Sequence, residues 1–204
     1  LRHQKGDLLL SGKKLGFPFF SRPLGIYLLG VGVWGVAQSG FTTFLPLFLV
    51  DHRGFSAGKA AAVYGIMSLS GAICRPMAGA LMDWMGRRKP VVIAGFIISF
   101  LSIISLVSFE HTWIMYISIV LMGIFGAGHS GLADTFMIEM IPSRRREETL
   151  GFIYTARMGI ASLSPLVVGF LSQQTNIARA FFILAFVPLL SAFLLSLAEE
   201  KPVD

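Results

Sequence analysis

Cysteine and histidine are scarce in this sequence. Cys74 is the single cysteine, and the four histidines, His3, His52, His111 and His129, are scattered along the chain. One thiol excludes a disulfide framework, a thiolate metal site and a redox pair within the chain. No two histidines have the spacing of metal ligands. The sequence therefore predicts neither a metal nor a cofactor.

Charge is also in short supply. Charged residues make up 14% of the chain, about half the share of a soluble domain. In their place stand 54% hydrophobic residues, with a mean hydropathy of +0.73. The net charge of +6 comes from cations clustered between apolar runs, without a basic stripe interleaved with aromatics. These patterns predict an integral membrane protein that does not bind nucleic acid.

Catalytic patterns are missing as well. The stretch "GVGVWG", Gly30 to Gly35, matches the dinucleotide-binding pattern G-x-G-x-x-G, but it lies inside an uncharged run without a preceding strand. We interpret it as a packing segment of a helix. No pairing of serine, cysteine or carboxylate residues points to hydrolysis, so we expect no enzyme.

Long apolar runs dominate the chain. A helix needs about 20 apolar residues to cross the roughly 30 Å hydrocarbon core. Lipid offers the backbone no hydrogen-bond partners, so the runs are expected to be helices. The predicted fold is an all-α bundle of six transmembrane helices within 24–198, with spans at about 24–50, 58–85, 90–109, 112–141, 149–174 and 178–198.

The cations predict the orientation of the bundle. Residues 1–23, the loops at 86–89 and 143–148, and the tail at 199–204 together carry 12 Lys and Arg, against three in the opposite connections. By the positive-inside rule, the richer side and both termini are cytosolic. We expect a multi-pass protein of the cytoplasmic membrane. Because the chain begins at Leu1, residues 1–23 are interpreted as a linker that followed a preceding segment.

Polar residues are distributed unevenly among the spans. The third and sixth spans are apolar around their whole circumference, which favours contact with lipid. The first, second, fourth and fifth spans carry the polar groups, which normally face a bundle interior or a watery cavity. Four helices are therefore expected to line an interior and two to support them.

The second and third spans are joined by "GALMDWMGRRKP", which contains the pattern G-x-L-x-D-x-x-G-R-R. Its members are Gly79, Leu81, Asp83, Gly86, Arg87 and Arg88. This pattern resembles the cytosolic signature loop of the major facilitator superfamily of transporters, and the fifth span resembles a helix of that family's C-terminal half. The chain is thus similar to one half of a transporter that has about twelve helices.

The resemblance implies a function. Such a half would rock against another half around a site near the membrane midplane, so that a small solute crosses by alternating access. The partners implied are the solute, the lipid bilayer, and a missing N-terminal half or a second copy. Asp83, Arg87 and Arg88, with Gly79 and Gly86, would form a cytosolic gating latch. The alternative is a membrane module without transport activity, either a remnant or a scaffold for a partner.

Ionisable residues inside a membrane are costly and raise functional hypotheses. Asp134 and Arg157 lie at matching depths, ~12 to 14 Å from the loop that joins their antiparallel helices. They could pair as a substrate-coupled switch or as a fixed buried ion pair. His129 could accept a transported proton or remain a neutral structural histidine. Arg75 could hold an anionic group of a substrate or support the signature loop.

The first and fourth spans offer further candidates. Trp34, Gln38 and Thr42 follow one another at i, i+4 and i+8, so they could line a cavity or form hydrogen bonds between helices. Gly123 begins a seam of small residues, with Ala127 and Gly131, that allows another helix to approach closely.

Overall fold

The computed structural model describes residues 22–85, 89–127 and 146–197, and these are helical apart from short turns. The helices are α1 (Arg22–Asp51), α2 (Ala57–Met85), α3 (Lys89–Ser108), α4 (Thr112–Leu121), α5 (Arg146–Ser162), α6 (Ser164–Gln174) and α7 (Ile177–Ser196). A π-helical segment, Met122–Ala127, continues α4. Helices α5 and α6 are the two parts of the fifth span.

The helices have the dimensions of a membrane protein. Five segments are long and apolar enough to cross a bilayer, and the shorter Thr112–Gly126 is apolar as well. The longest, α1, has 30 residues, or about 45 Å at 1.5 Å per residue. The predicted all-α membrane fold is therefore confirmed. The side on which the termini lie remains a prediction from the cations.

Helix α7 lies at the centre of the packing, because it contacts both α1 and α3 extensively. Its Phe181 is fully buried, with ring centroids 5.1 Å from both Phe41 and Phe48 of α1. Such aromatic pairs add to the stabilisation that apolar burial already provides. The described parts of the bundle thus share one hydrophobic core.

The third and sixth spans, predicted to contact lipid and to support the other helices, have one face for each role. Each helix has an exposed apolar face, but its opposite face is buried and contains serines: Ser99 and Ser102 on α3, and Ser191 on α7. The Ser99 and Ser191 hydroxyls donate to carbonyls one turn back in their own helices. Serine can therefore be buried at these helix contacts without a partner on another helix.

Two crossings bring helices unusually close. A methyl group at Gly40 of α1 would lie 2.5 Å from a Val168 methyl of α6. A methyl group at Gly123 would collide with the Ser70 hydroxyl and the Met67 carbonyl of α2. The expectation that Gly123 allows close approach agrees with this geometry. The rest of the predicted seam stays a prediction, because Gly131 lies outside the described residues and the structure describes no side-chain environment at Ala127.

Two cations cap helix C-termini. The Arg53 guanidinium donates to the carbonyls of Leu106 and Phe109, each at 2.5 Å, at the end of α3. The Lys89 ammonium donates to the Ser196 carbonyl of α7 at 2.9 Å. The last carbonyls of a helix lack intrahelical donors and carry partial negative charge, so both contacts are favourable.

Candidate functional site: a groove between the first and fifth spans

A groove runs along the contact between α1 and α5 and consists of two adjoining cavities. The first, which we call the polar compartment, has a volume of about 280 Å³. It is lined by Val31, Trp34, Gly35, Gln38, Ser39 and Thr42 of α1 and by Arg157, Met158 and Ala161 of α5. The spacing of the α1 residues places them on one face of the helix.

The second cavity, which we call the apolar compartment, has a volume of about 240 Å³. It is lined by Gly25, Leu28, Leu29, Val31 and Gly32 of α1 and by Phe152, Ile153, Ala156, Arg157 and Ile160 of α5. Val31 and Arg157 line both compartments. They therefore mark the boundary between the two.

The local sequence explains why the groove lies beside α5 rather than α6. Helix α6 is held against α1 by the close approach at Gly40 and by a hydrogen bond from the Ser164 hydroxyl to the Val36 carbonyl. Leu163 interrupts the span just before this contact. Pro165 has no N–H to donate to the carbonyl of Ala161, which favours a break in the helix at this point.

Arg157 is the ionisable side chain of the groove among the residues that the structure describes. It is half-buried, and its stem passes 3.8 Å from the position of a methyl group on Gly35. Its guanidinium carbon lies 5.1 Å from the centre of the Tyr154 ring, within the range of a cation–π contact. The glycine thus leaves room for the stem, and the ring helps to place the charge.

The three α1 candidates from the sequence all line the polar compartment. Trp34 is nearly completely buried and packs edge-on against Phe96 of α3, with 5.6 Å between ring centroids. The Thr42 hydroxyl donates to the carbonyls of Gln38 and Ser39 within its own helix. Thr42 is therefore not a donor between helices, and Gln38 is a second polar group that lines the cavity.

The other sequence candidates are not brought into this groove by the described structure. Arg75 is exposed on α2 and lines neither compartment. His129 and Asp134 lie outside the described residues, so the pairing of Asp134 with Arg157 stays a prediction.

The predicted latch lies outside as well. Gly86, Arg87 and Arg88 are not among the described residues, and the structure describes no side-chain environment at Gly79 or Asp83. The gating role of this motif also stays a prediction.

A polar pocket that the sequence did not predict lies at the C-terminal end of the first span. It has a volume of about 320 Å³ and is lined by His52, Arg53, Phe55, Glu110, Thr112 and Met115. In the sequence, Arg53 was counted only for its charge, as part of the orientation pattern. The signal for this pocket was a lone arginine directly after the first span. A second helix ends near it in the bundle.

Comparison with known families decides the classification. The family model of the Major Facilitator Superfamily matches residues 5–102 and 27–204. The chain belongs to the Major Facilitator Superfamily. The resemblance that rested on the signature loop is thereby confirmed, as is the expectation that this superfamily chain is not an enzyme.

Curated superfamily relatives match nearly the whole chain. "Multidrug resistance protein MdtG" of Citrobacter koseri is 29% identical over 183 residues, which cover 87% of this chain and 44% of the relative. "D-galactonate transporter" of Escherichia coli O6:H1 is 25% identical over 207 residues, or 95% of this chain and 47% of that protein. The chain thus spans a little under half the length of these relatives.

Solved structures share the superfamily fold. The structure titled "In meso crystal structure of the POT family transporter PepTSo" superposes with a TM-score of 0.79 at 15% identity, over 92% of this chain and 40% of that one. An auto-inhibited POT family peptide transporter gives a TM-score of 0.77 at 14% identity, over 90% and 38%. At this identity the likeness concerns the fold alone.

Proposed function

We propose that this chain is the C-terminal six-helix half of a secondary active transporter, which moves a small solute by alternating access. Superfamily membership supports a transport role, and the match to less than half of each relative supports a half-unit. The observation that carries the proposal is the polar compartment. Gln38, Ser39 and Arg157 gather around a cavity midway along membrane-spanning helices, where polar groups are costly unless they serve a purpose.

A second half would cover the face formed by α2 and the fifth span. Leu69 and Met77 of α2 are 61% and 65% exposed, and Leu166 and Phe170 of α6 are 70% and 63% exposed. The relatives' additional length, about equal to this chain, is the first candidate to cover this face. A second copy of the chain is the other.

The sequence candidates take roles within this proposal. Arg157 and Arg75 would act on substrate, and His129 and Asp134 on proton or substrate coupling. Intramembrane residues of these types commonly serve proton relays and substrate pathways.

The latch residues complete the proposed cycle. Asp83 with Arg87 and Arg88, positioned by Gly79 and Gly86, would hold one state closed at the cytosolic side. In a two-copy assembly, Asp83 would dock near Thr149 of the other copy. The cation distribution and the bacterial relatives support placement in the cytoplasmic membrane.

The transport proposal is tested in proteoliposomes. The chain is reconstituted both alone and together with the N-terminal half of a relative, and it is assayed with labelled D-galactonate and a panel of fluorescent drugs, since the relatives' names point to these two classes. We expect uptake or efflux of at least one probe, and at least a tenfold loss in the Gln38→Leu variant. Gln173→Leu, at an exposed position on α6, is the matched control. Equal transport by the two variants would remove Gln38 from the pathway.

The partner arrangement has a separate test. In a Cys74→Ala background, Phe170→Cys and Phe193→Cys each place one thiol at a similarly exposed position, 63% and 61% exposed. If two copies assemble, Phe170→Cys cross-links between copies and Phe193→Cys on α7 does not. Equal cross-linking contradicts the proposed face. Absence of cross-linking, together with absence of transport when an N-terminal half is supplied, favours the non-transporting module.

A further inference from the structure

Two consecutive side chains of α1 line the polar compartment with unused hydrogen-bonding capacity. Gln38 and Ser39 are both half-buried there. Within the described part of the chain, neither the Gln38 amide nor the Ser39 hydroxyl has a hydrogen-bond partner. Thr42 lines the same compartment, but its hydroxyl donates within its own helix. Because unpaired polar groups are costly inside a membrane, a bound group that pairs with Gln38 and Ser39 would be stabilised.

We propose that the polar compartment binds a polyhydroxylated solute, whose hydroxyl groups pair with Gln38 and Ser39. This inference rests on the proposed function and names a substrate class for it. Met158 and Ala161 of α5 line the same compartment and have no hydrogen-bond donor in their side chains, so the carbon skeleton of such a solute can lie against them.

The chemistry of the two α1 side chains favours hydroxyl groups. The Gln38 amide and the Ser39 hydroxyl can each donate and accept a hydrogen bond. A hydroxyl group also does both with one atom, whereas an ether or an ester offers acceptors alone and would leave the Gln38 oxygen unpaired. Consecutive residues differ by about 100° around a helix of 3.6 residues per turn, so the two side chains pair best with hydroxyls on different carbons.

The depth of the pair favours a free solute over a lipid, since hydroxyl groups also occur in headgroups such as that of phosphatidylglycerol. Gln38 lies about 24 Å from Arg22 and about 20 Å from Asp51 along α1, at 1.5 Å per residue. Headgroups lie outside the roughly 30 Å hydrocarbon core. A headgroup would have to be drawn deep into this core to reach Gln38, whereas a solute that crosses the membrane must pass this depth.

Binding is tested with the hexitols galactitol, mannitol and sorbitol, which are uncharged and therefore do not depend on attraction to Arg157. The chain is held in phosphatidylcholine nanodiscs, alone and together with the N-terminal half of a relative, and binding to nanodiscs without the chain is subtracted. Hexane-1,6-diol, which has the same carbon chain and only the terminal hydroxyls, is the matched probe. We expect at least one hexitol to bind about tenfold or more tightly than the diol, because a site built for hydroxyl groups rejects an analogue that lacks them.

Variants of α1 rank the side chains. Gln38→Leu should weaken hexitol binding about tenfold or more, and Ser39→Ala should weaken it several-fold, because each removes groups that pair with the solute. Thr42→Val should have a smaller effect than Ser39→Ala, since the Thr42 donor is already engaged within its helix. Gln173→Leu, at an exposed position on α6 outside the groove, is the matched control and should leave binding unchanged.

Folding of the variants is monitored apart from binding. The melting temperature of each variant is compared with that of the original chain, and Gln38→Asn keeps an amide at the same position. Gln38→Asn should retain more affinity than Gln38→Leu. Equal losses of affinity in these two variants, at unchanged melting temperature, would remove the amide from recognition and contradict the inference.

Four further results would overturn the inference. They are absence of hexitol binding, equal binding of the hexitols and the diol, a loss in Thr42→Val as large as that in Ser39→Ala, and loss of hexitol binding when phosphatidylglycerol is added to the nanodiscs. The last result would identify a lipid headgroup as the occupant. Unchanged hexitol binding in the presence of phosphatidylglycerol supports a free solute.

Binding and transport are scored separately. Transport of another probe without hexitol binding contradicts this inference and leaves the proposed function standing. Hexitol binding with the expected order of variants, in a chain that transports nothing even when an N-terminal half is supplied, supports the inference and contradicts the proposed function.

Discussion

Two helix crossings in this bundle use the same pair of residue types and differ in their surroundings. At the first, Gly40 of α1 meets Val168 of α6, and the Ser164 hydroxyl donates to the Val36 carbonyl. At the second, Gly123 meets α2 at Ser70, whose hydroxyl donates to the Met67 carbonyl at 2.8 Å and lies 3.4 Å from the Val120 carbonyl.

The difference lies in what each glycine touches. The nearest atoms to Gly40 belong to side chains, whereas Gly123 faces both the Ser70 hydroxyl and the backbone of Met67. The two serines differ in the opposite sense. The Ser164 hydroxyl donates to a carbonyl of the other helix, whereas the Ser70 hydroxyl donates mainly to a carbonyl of its own helix. Close packing without a side chain and hydrogen bonding across the contact are therefore two separable ways of joining membrane helices.

The largest expected effect is that of Gly123→Ala. Its new methyl group would collide with backbone, which cannot rotate away, so we expect destabilisation of about 3 kcal/mol or more. Gly65→Ala on α2, where the position is open, is the control and should be neutral or slightly stabilising. Thermal unfolding in detergent, followed by tryptophan fluorescence, measures both. A similar melting temperature for the two variants would contradict the backbone contact.

A smaller effect is expected for Gly40→Ala. The methyl group would lie 2.5 Å from Val168 and 2.6 Å from the Ser164 hydroxyl, and both are side chains that can adjust, so the cost should be about 1 to 2 kcal/mol. Adding Val168→Ala should recover part of that loss, giving a favourable coupling in a double-mutant cycle. Strictly additive losses would show that Val168 is not the obstacle.

The smallest expected effects separate the serines. Ser164→Ala removes a hydrogen bond between helices and should cost about 1 kcal/mol. Ser70→Ala should cost less, since its main acceptor is one turn away in its own helix. The order of the serine variants is thus the reverse of the order of the glycine variants. The same unfolding assay decides it, and a larger loss for Ser70→Ala would refute the distinction.

The sequence predicted the all-α membrane fold and the superfamily because both depend on local signals, namely long apolar runs and one short charged loop. It also placed Gln38, Thr42 and Arg157 among the site candidates, since polar residues within apolar runs are conspicuous. The apolar compartment could not be predicted, because Leu28 and Leu29 look like any lipid-facing residues in a span.

The sequence also could not predict which helices pack against each other. The uniform apolarity of α3 and α7 concealed buried serines that bond within their own helices. The closeness of Gly40 to α6 depends on the angle at which two helices cross, which no single span encodes.

Arg53 and Lys89 carry a consequence for experiments on membrane insertion. Each belongs to the charge pattern from which orientation is inferred, and each also donates to the terminal carbonyls of a distant helix. Moving or neutralising these charges to invert the chain in the bilayer would remove a helix cap at the same time. A chain inserted in the wrong orientation could then result from failed folding rather than from the altered orientation signal. Topology reporters on this chain are therefore best paired with a measurement of compactness.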